Sequence, residues 1–193
     1  LFLSGVALQC DGAALNIAHA PGGTRLLLAQ SSVNDLSNRK AQTNLTDPRG
    51  TAVICSEDAL SIEGDGRLNI TAAADGVRGK GVVLKSGTVV MYSEGNGFAT
   101  DGNLQITGGN LLTCAGQTAA SGNVHGVFLR KVGDYAAGEA FRILGADGGE
   151  LAGFTLRDDC ADLLIAHEGF VCGETYVLQS GTHDVCTFCA AMQ

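Results

Sequence analysis

The sequence predicts an all-β chain: a right-handed parallel β-helix (a solenoid) closed at its C-terminal end by an antiparallel β cap. Three observations predict it. The segment from Thr51 to Gly116 repeats itself: Asp75-Gly76-Val77 returns as Asn96-Gly97-Phe98, and more faintly as His125-Gly126-Val127. The period is about 21–22 residues, inside the range of solenoid repeats. Glycine is abundant, at 28 of 193 residues, with 2 prolines and no tryptophan, which suits short strands between tight turns and not a helical bundle.

The elements follow in chain order. Leu1 and Leu3, then Val6 and Leu8, alternate around a Ser-Gly turn, and Leu15/Ile17 and Leu26/Leu28 continue the strand pattern. From Gln30 to Gly50 the chain is polar and reads as a loop or irregular coil. The regular coils then begin. Leu60/Ile62 and Leu68/Ile70 flank Asp65-Gly66, Val82/Leu84 and Val89/Met91 flank Ser86-Gly87, and Leu104/Ile106 and Leu111 flank Gly108-Gly109. Stacking such coils about 4.8 Å apart puts Leu60, Val82 and Leu104 in one column and Ile62, Leu84 and Ile106 in the next. The right hand follows from the handedness of parallel crossovers. A β-sandwich is the competing architecture, but it has no need of a fixed repeat.

After an Ala/Ser/Gly-rich connection the character changes. Phe141–Leu144 and Leu151–Leu156 surround Asp147-Gly148-Gly149, a hairpin signal, and Leu163–Ile165 and Thr175–Leu178 surround Cys172-Gly173-Glu174, which reads as a second hairpin. The expected organisation is one structural domain, with coils over residues 1–126 and a β cap over 127–193. The cap is expected because an open last coil presents unpaired strand edges.

The formal charge of -8 argues against a nucleic-acid partner, which needs clustered Lys and Arg. No apolar stretch reaches the ~18–20 residues needed to cross a bilayer. The opening Leu1–Leu8 reads as a strand and not as a signal core, so an export signal is expected outside this sequence. Seven cysteines leave at least one thiol unpaired within the chain. Cys186-Thr187-Phe188-Cys189 is open to two readings: a disulfide or idle thiols, or a zinc site helped by His183 and Asp184.

Three segments together carry a family likeness: Val53-Ile54-Cys55-Ser56-Glu57-Asp58 through Gly66, Ala74-Asp75-Gly76-Val77-Arg78-Gly79-Lys80-Gly81, and Leu104-Gln105-Ile106-Thr107-Gly108-Gly109. They resemble the bacterial right-handed parallel β-helix carbohydrate-binding domain family, which is similar to pectate lyases. The closing pattern from Ala140 to Gly181, clearest at Gly173-Glu174-Thr175-Tyr176, looks like that family's last β segment. The resemblance implies calcium sites along the helix, binding of plant cell-wall polysaccharide (acidic pectin or cellulose), and an extracellular or cell-surface setting.

The residues that would carry such chemistry lie in the coil turns. Glu57, Asp58, Asp75, Glu94, Asn96 and Asp101 are the candidate calcium ligands, because calcium takes six to eight oxygens and stacked turns bring distant carboxylates together. The same residues are ordinary turn formers before glycine. Arg78 and Lys80 align with Glu57-Asp58 on the preceding coil and Asp101 on the next. They serve as inter-coil salt bridges, as partners of a uronate carboxylate, to which arginine is geometrically suited, or as the base of a calcium-dependent lyase. Tyr92 ends a strand and is the candidate sugar-stacking ring, whereas Phe98 aligns with Val77 in the core. The expected function is a non-catalytic, calcium-stabilised carbohydrate-binding module for polysaccharide. A polysaccharide lyase and a structural surface stalk or adhesin are the alternatives.

Overall fold

The computed structural model describes residues 1–39 and 51–193. Among the described residues the chain is all-β, with no α-helix. Successive strands enter three parallel sheets in rotation. The first sheet gathers β1 (Phe2–Leu3), β4 (Thr24–Leu28), β7 (Leu60–Gly64), β10 (Val82–Leu84), β13 (Asn103–Ile106) and β15 (Asn123–His125). The second runs through β2 (Ala7–Cys10), β5 (Val33–Asn38), β8 (Arg67–Ala72), β11 (Thr88–Ser93) and β14 (Asn110–Ala115). The third holds β3 (Leu15–Ile17), β6 (Ile54–Ser56), β9 (Val77–Gly79) and β12 (Phe98–Thr100).

The apolar repeat sets the register. Leu60, Val82 and Leu104 pair in turn across the first sheet, and so do Ile62, Leu84 and Ile106. In the second sheet Leu36, Ile70, Met91 and Thr113 form one column. In the third, Ile54, Val77 and Phe98 form another. These columns turn inward to one core in which Leu68, Val77, Val89 and Leu104 have no exposed surface. Each such burial stabilises by roughly 1.5–3 kcal/mol relative to exposure. The outward partners alternate with them: in β8, Arg67 is exposed and Asn69 and Thr71 are half-buried, while Leu68, Ile70 and Ala72 are buried.

The glycine of Asn96-Gly97-Phe98 is required by close packing. A Cβ there would collide with Thr113 Cγ2 and the carbonyl oxygen of Ala119. The faint third copy at His125-Gly126-Val127 is not equivalent. His125 pairs with Gln105 in the first sheet, and Phe98 is answered instead by Ala120. The polar stretch after Gln30 also differs from the sequence reading, because Val33–Asn38 forms β5. Asn34 is fully buried there, and its side chain takes the place of missing backbone partners. Its Oδ1 accepts from Val6 N at 3.0 Å and its Nδ2 donates to Arg67 O at 3.1 Å. The rest of that expected loop, residues 40–50, lies outside the described residues.

The C-terminal strands close the second sheet. β14 pairs antiparallel with β19 (Cys160–Ala166), which pairs antiparallel with β16 (Leu129–Tyr135). A fourth, antiparallel sheet orders β18 (Glu150–Thr155), β17 (Ala140–Gly145), β20 (Thr175–Ser180) and β21 (His183–Cys189). The hairpin at Asp147-Gly148-Gly149 forms between β17 and β18. The second expected hairpin does not: β19 joins the second sheet, while β20 pairs with β17 and β21. Leu163, Phe141, Ile143 and Leu178 build a second core under this sheet, and Tyr92 and Cys114 from the outer face of the second sheet enter it.

One buried charge pins the junction. Asp162 on β19 is 2% exposed, and Arg130 on β16 grips it with Nη2 at 2.6 Å and Nε at 3.0 Å from Oδ2. The same oxygen accepts from Ala119 N at 2.9 Å. Breaking a buried pair costs about 3–5 kcal/mol, because an uncompensated group is left behind. Arg130 is 32% exposed and can turn to water. Asp162→Ala is therefore expected to lose about 3 kcal/mol, the low end of that range, in urea unfolding. A loss under about 1 kcal/mol would place the pair among ordinary surface bridges.

Candidate functional site

The acidic residues of the coil turns separate into small pairs. Asp58 accepts from Ala20 N at 2.9 Å and lies 3.4 Å from both Lys80 Nζ and His19 Nδ1. The Ala20 N–H holds its carboxyl below the ordinary aspartate value; desolvation opposes this, and Lys80 and His19 assist it. Asp75 is buried. Its Oδ1 accepts from Asn96 N and Nδ2, both at 3.0 Å, and its Oδ2 lies 3.3 Å from Arg78 Nη1. Glu94 and Asp101 are exposed and Glu57 is half-buried.

The six candidate calcium ligands therefore do not meet in one oxygen cage. Asp58 and Asp75 already face the cations Lys80 and Arg78. Among the described residues no three His, Cys, Asp or Glu side chains group as a metal site. The residues present do not fit a calcium ion that needs six to eight oxygens. Asp58 pairs with Lys80 of the next repeat, and Asp75 pairs with Arg78 of its own repeat. Glu63, on the first sheet, lies 2.8 Å from Arg25 and 3.6 Å from Lys85.

Tyr92 does not present its ring to solvent. It stands on the outer face of β11 between Thr71 and Cys114, and it is only 8% exposed. Its hydroxyl donates to Thr155 O at 3.3 Å and accepts from Arg157 N at 3.1 Å. The Arg157 guanidinium lies 4.4 Å from the ring centroid, a cation–π contact that covers the face a sugar would need. Burial pushes the phenol above its ordinary value, and the Arg157 N–H opposes the shift. Tyr92 is thus a support for Arg157 and not a stacking platform.

That support builds a groove of about 780 Å³ beside the covered end of the second sheet. Asn38, Arg39, Thr71, Ser93 and Glu94 line it, together with Arg157, Asp158 and Asp159 from the turn between β18 and β19. Arg157 is held by two neighbours. Its Nη1 donates to Thr71 Oγ1 at 3.0 Å, and its Nε and Nη2 donate to Asp158 Oδ2 at 2.9 and 2.6 Å. A volume of this size accommodates a short stretch of glycan. A second cleft, of about 390 Å³, is bordered by Ile106, Gly109, His125, Phe170 and Met192 and is more apolar.

Sequence reading did not find Arg157, Asp158 and Asp159. The signal was a run of three charges directly after the apolar Leu151–Leu156 pattern, with no repeat to give it a place. Arg78 and Lys80 were found, and the structure places both against carboxylates.

Asp58 gives a pH test. A carboxyl with a lowered folded value contributes stability above its unfolded value of about 4, and that contribution is lost as pH falls through the folded value. Asp58→Asn is expected to flatten the acid limb of melting temperature against pH below about 4. An unchanged limb would show that the Ala20 and Lys80 contacts do not hold the carboxylate.

No curated protein matches the chain, and neither does any solved structure. A family model described as carbohydrate-binding domain-containing protein matches residues 1–125. The match covers the parallel strands of the three sheets and stops short of the turn that carries Arg157. On that match, the chain belongs to the family of carbohydrate-binding domain-containing proteins.

Proposed function

We propose that this chain is a non-catalytic module that binds a neutral polysaccharide along the Arg157 groove. We read the three rotating parallel sheets as a right-handed parallel β-helix over residues 1–126, with residues 127–193 as its cap. The single observation that carries the binding reading is the groove itself. Thr71, Arg39, Arg157 and the neighbouring carboxylates offer paired donors and acceptors, which is what a row of sugar hydroxyls requires.

Charge selects among glycans. Among the described residues, Arg39 and Arg157 share the groove with Glu94, Asp158 and Asp159, two cations against three carboxylates. Arg78 and Lys80, the other candidate uronate partners, are engaged by Asp75 and Asp58. An acidic pectin would meet net repulsion there. Crystalline cellulose would need a row of exposed rings; the chain has no tryptophan, and Arg157 covers Tyr92. A soluble neutral chain suits the lining best. Binding is assigned to side chains without an intervening calcium ion, and the setting is read as extracellular or cell-surface.

A glycan array of neutral and uronate polysaccharides tests this directly. Retention of a neutral glycan, undiminished by chelator, is the expected result. Arg157→Ala should weaken it about tenfold or more, since a hydrogen bond to a charged group contributes about 1.5–3 kcal/mol. Arg78→Gln, which does not line the groove, should leave affinity unchanged. Selective retention of polygalacturonate, or loss of all binding with chelator, would overturn the reading. Growth of an unsaturated uronate absorbance at catalytic protein concentrations would favour a lyase instead.

A further inference from the structure

Two buried cysteines lie together where the parallel sheets meet the antiparallel strands. Cys114 is on the outer face of β14 and Cys160 opens β19; they are 1% and 3% exposed and share one core cluster. The chain turns back over Cys114 just before it reaches Cys160. The Cys114 Sγ lies 3.8 Å from Asp158 O and 3.7 Å from Asp159 O, the carbonyls of the two residues preceding Cys160. Each thiol shifts the other's ionisation, Cys114 upward and Cys160 downward. Cys172 and Cys189, by contrast, are exposed.

We propose that Cys114 and Cys160 form a redox-dependent disulfide that ties the parallel-sheet body to the C-terminal strands beneath the groove. The inference does not depend on the carbohydrate reading. Cys114 lines the Arg157 groove, and Cys160 lines a neighbouring cleft of about 380 Å³ with Tyr135 and Asp159.

The chemistry assigns different roles to the two sulfurs. The Cys114 thiol, together with the N–H groups of Ala115 and Asp162, favours a thiolate at Cys160, against the cost of burial. Cys114, as the donor, is pushed the other way. Cys160, which lines the cleft beside Tyr135 and Asp159 and whose thiolate is favoured, is assigned as the attacking sulfur. Its thiolate attacks one sulfur of a small-molecule disulfide such as oxidised glutathione, forming a mixed disulfide and releasing one thiolate, which takes up a proton. Cys114 then loses its proton, attacks the Cys160 sulfur, and expels the second glutathione thiolate. The two protein thiols are oxidised by two electrons, and one glutathione disulfide becomes two glutathione thiols.

The test uses the full chain with Cys172→Ser, Cys186→Ser and Cys189→Ser, so that the more exposed thiols of the fourth sheet cannot compete. The protein is incubated with oxidised glutathione, blocked by alkylation under denaturing conditions, and digested without reductant. Mass mapping should find one linked pair of peptides carrying Cys114 and Cys160, lighter by two hydrogens than the separate thiols. Its melting temperature should rise on oxidation and fall back on reduction, and further substitution by Cys160→Ser should abolish the rise. Recovery of both residues alkylated, each carrying glutathione, or joined to Cys10 would overturn the proposal. The peptide map decides the question even if Cys160→Ser folds poorly.

Discussion

Leu60, Val82 and Leu104 stand in one column because the first sheet pairs them residue for residue, and the rest of the structure depends on that register. A slip of one residue in any parallel strand would turn its whole apolar set outward. With the register in place, each turn of chain lies directly over the one before. The Asp58–Lys80 contact, the Glu63–Lys85 contact and the Asp75–Asn96 hydrogen bonds follow from it, since each joins equivalent corners of neighbouring repeats. The same alignment explains why the carboxylates do not gather around an ion. Lys80 and Lys85 stand one repeat away from Asp58 and Glu63, and Arg78 faces Asp75 within its own repeat.

The register also creates a problem at its end. β14 would present a free edge and an apolar outer face, with Leu112 and Cys114 on it. Antiparallel β19 takes up that edge, and the fourth sheet covers the face. The groove is a consequence of this closure. The turn that enters β19 passes over Tyr92 and brings Arg157, Asp158 and Asp159 into one groove with Thr71 and Asn38. The proposed binding surface therefore belongs to the junction and not to the repeat alone, and it draws on residues beyond those matched by the family model.

Much of the repeat was legible in the sequence, because the apolar pairs and glycine turns recur at nearly constant spacing. Leu84 over Ile62 and Phe98 beside Val77 could be read directly. So could the charge pairing, since Asp58 and Lys80 are 22 residues apart, one repeat. The junction was not legible. Tyr92 meets Arg157 across 65 residues, from a segment with no repeat to align it. A tyrosine at a strand end therefore looked open when it is covered. The apparent hairpin around Cys172-Gly173-Glu174 misled for a related reason. Local turn chemistry shows that the chain turns, and the wider sheet decides which strand it then joins. His125-Gly126 copied the repeat's letters but fell in another sheet.

The central claim is that glycan lies against the junction and not elsewhere on the surface. Amide hydrogen exchange of the intact protein, with and without a saturating glycan that it retains, measures this most directly. The account predicts slowed exchange at Thr71–Ala73, Ser93–Glu94 and Arg157–Asp159, three segments that line the groove. Protection confined to the cleft around His125 and Met192, or to the corner of Arg78 and Lys80, with those three segments unchanged, would contradict it.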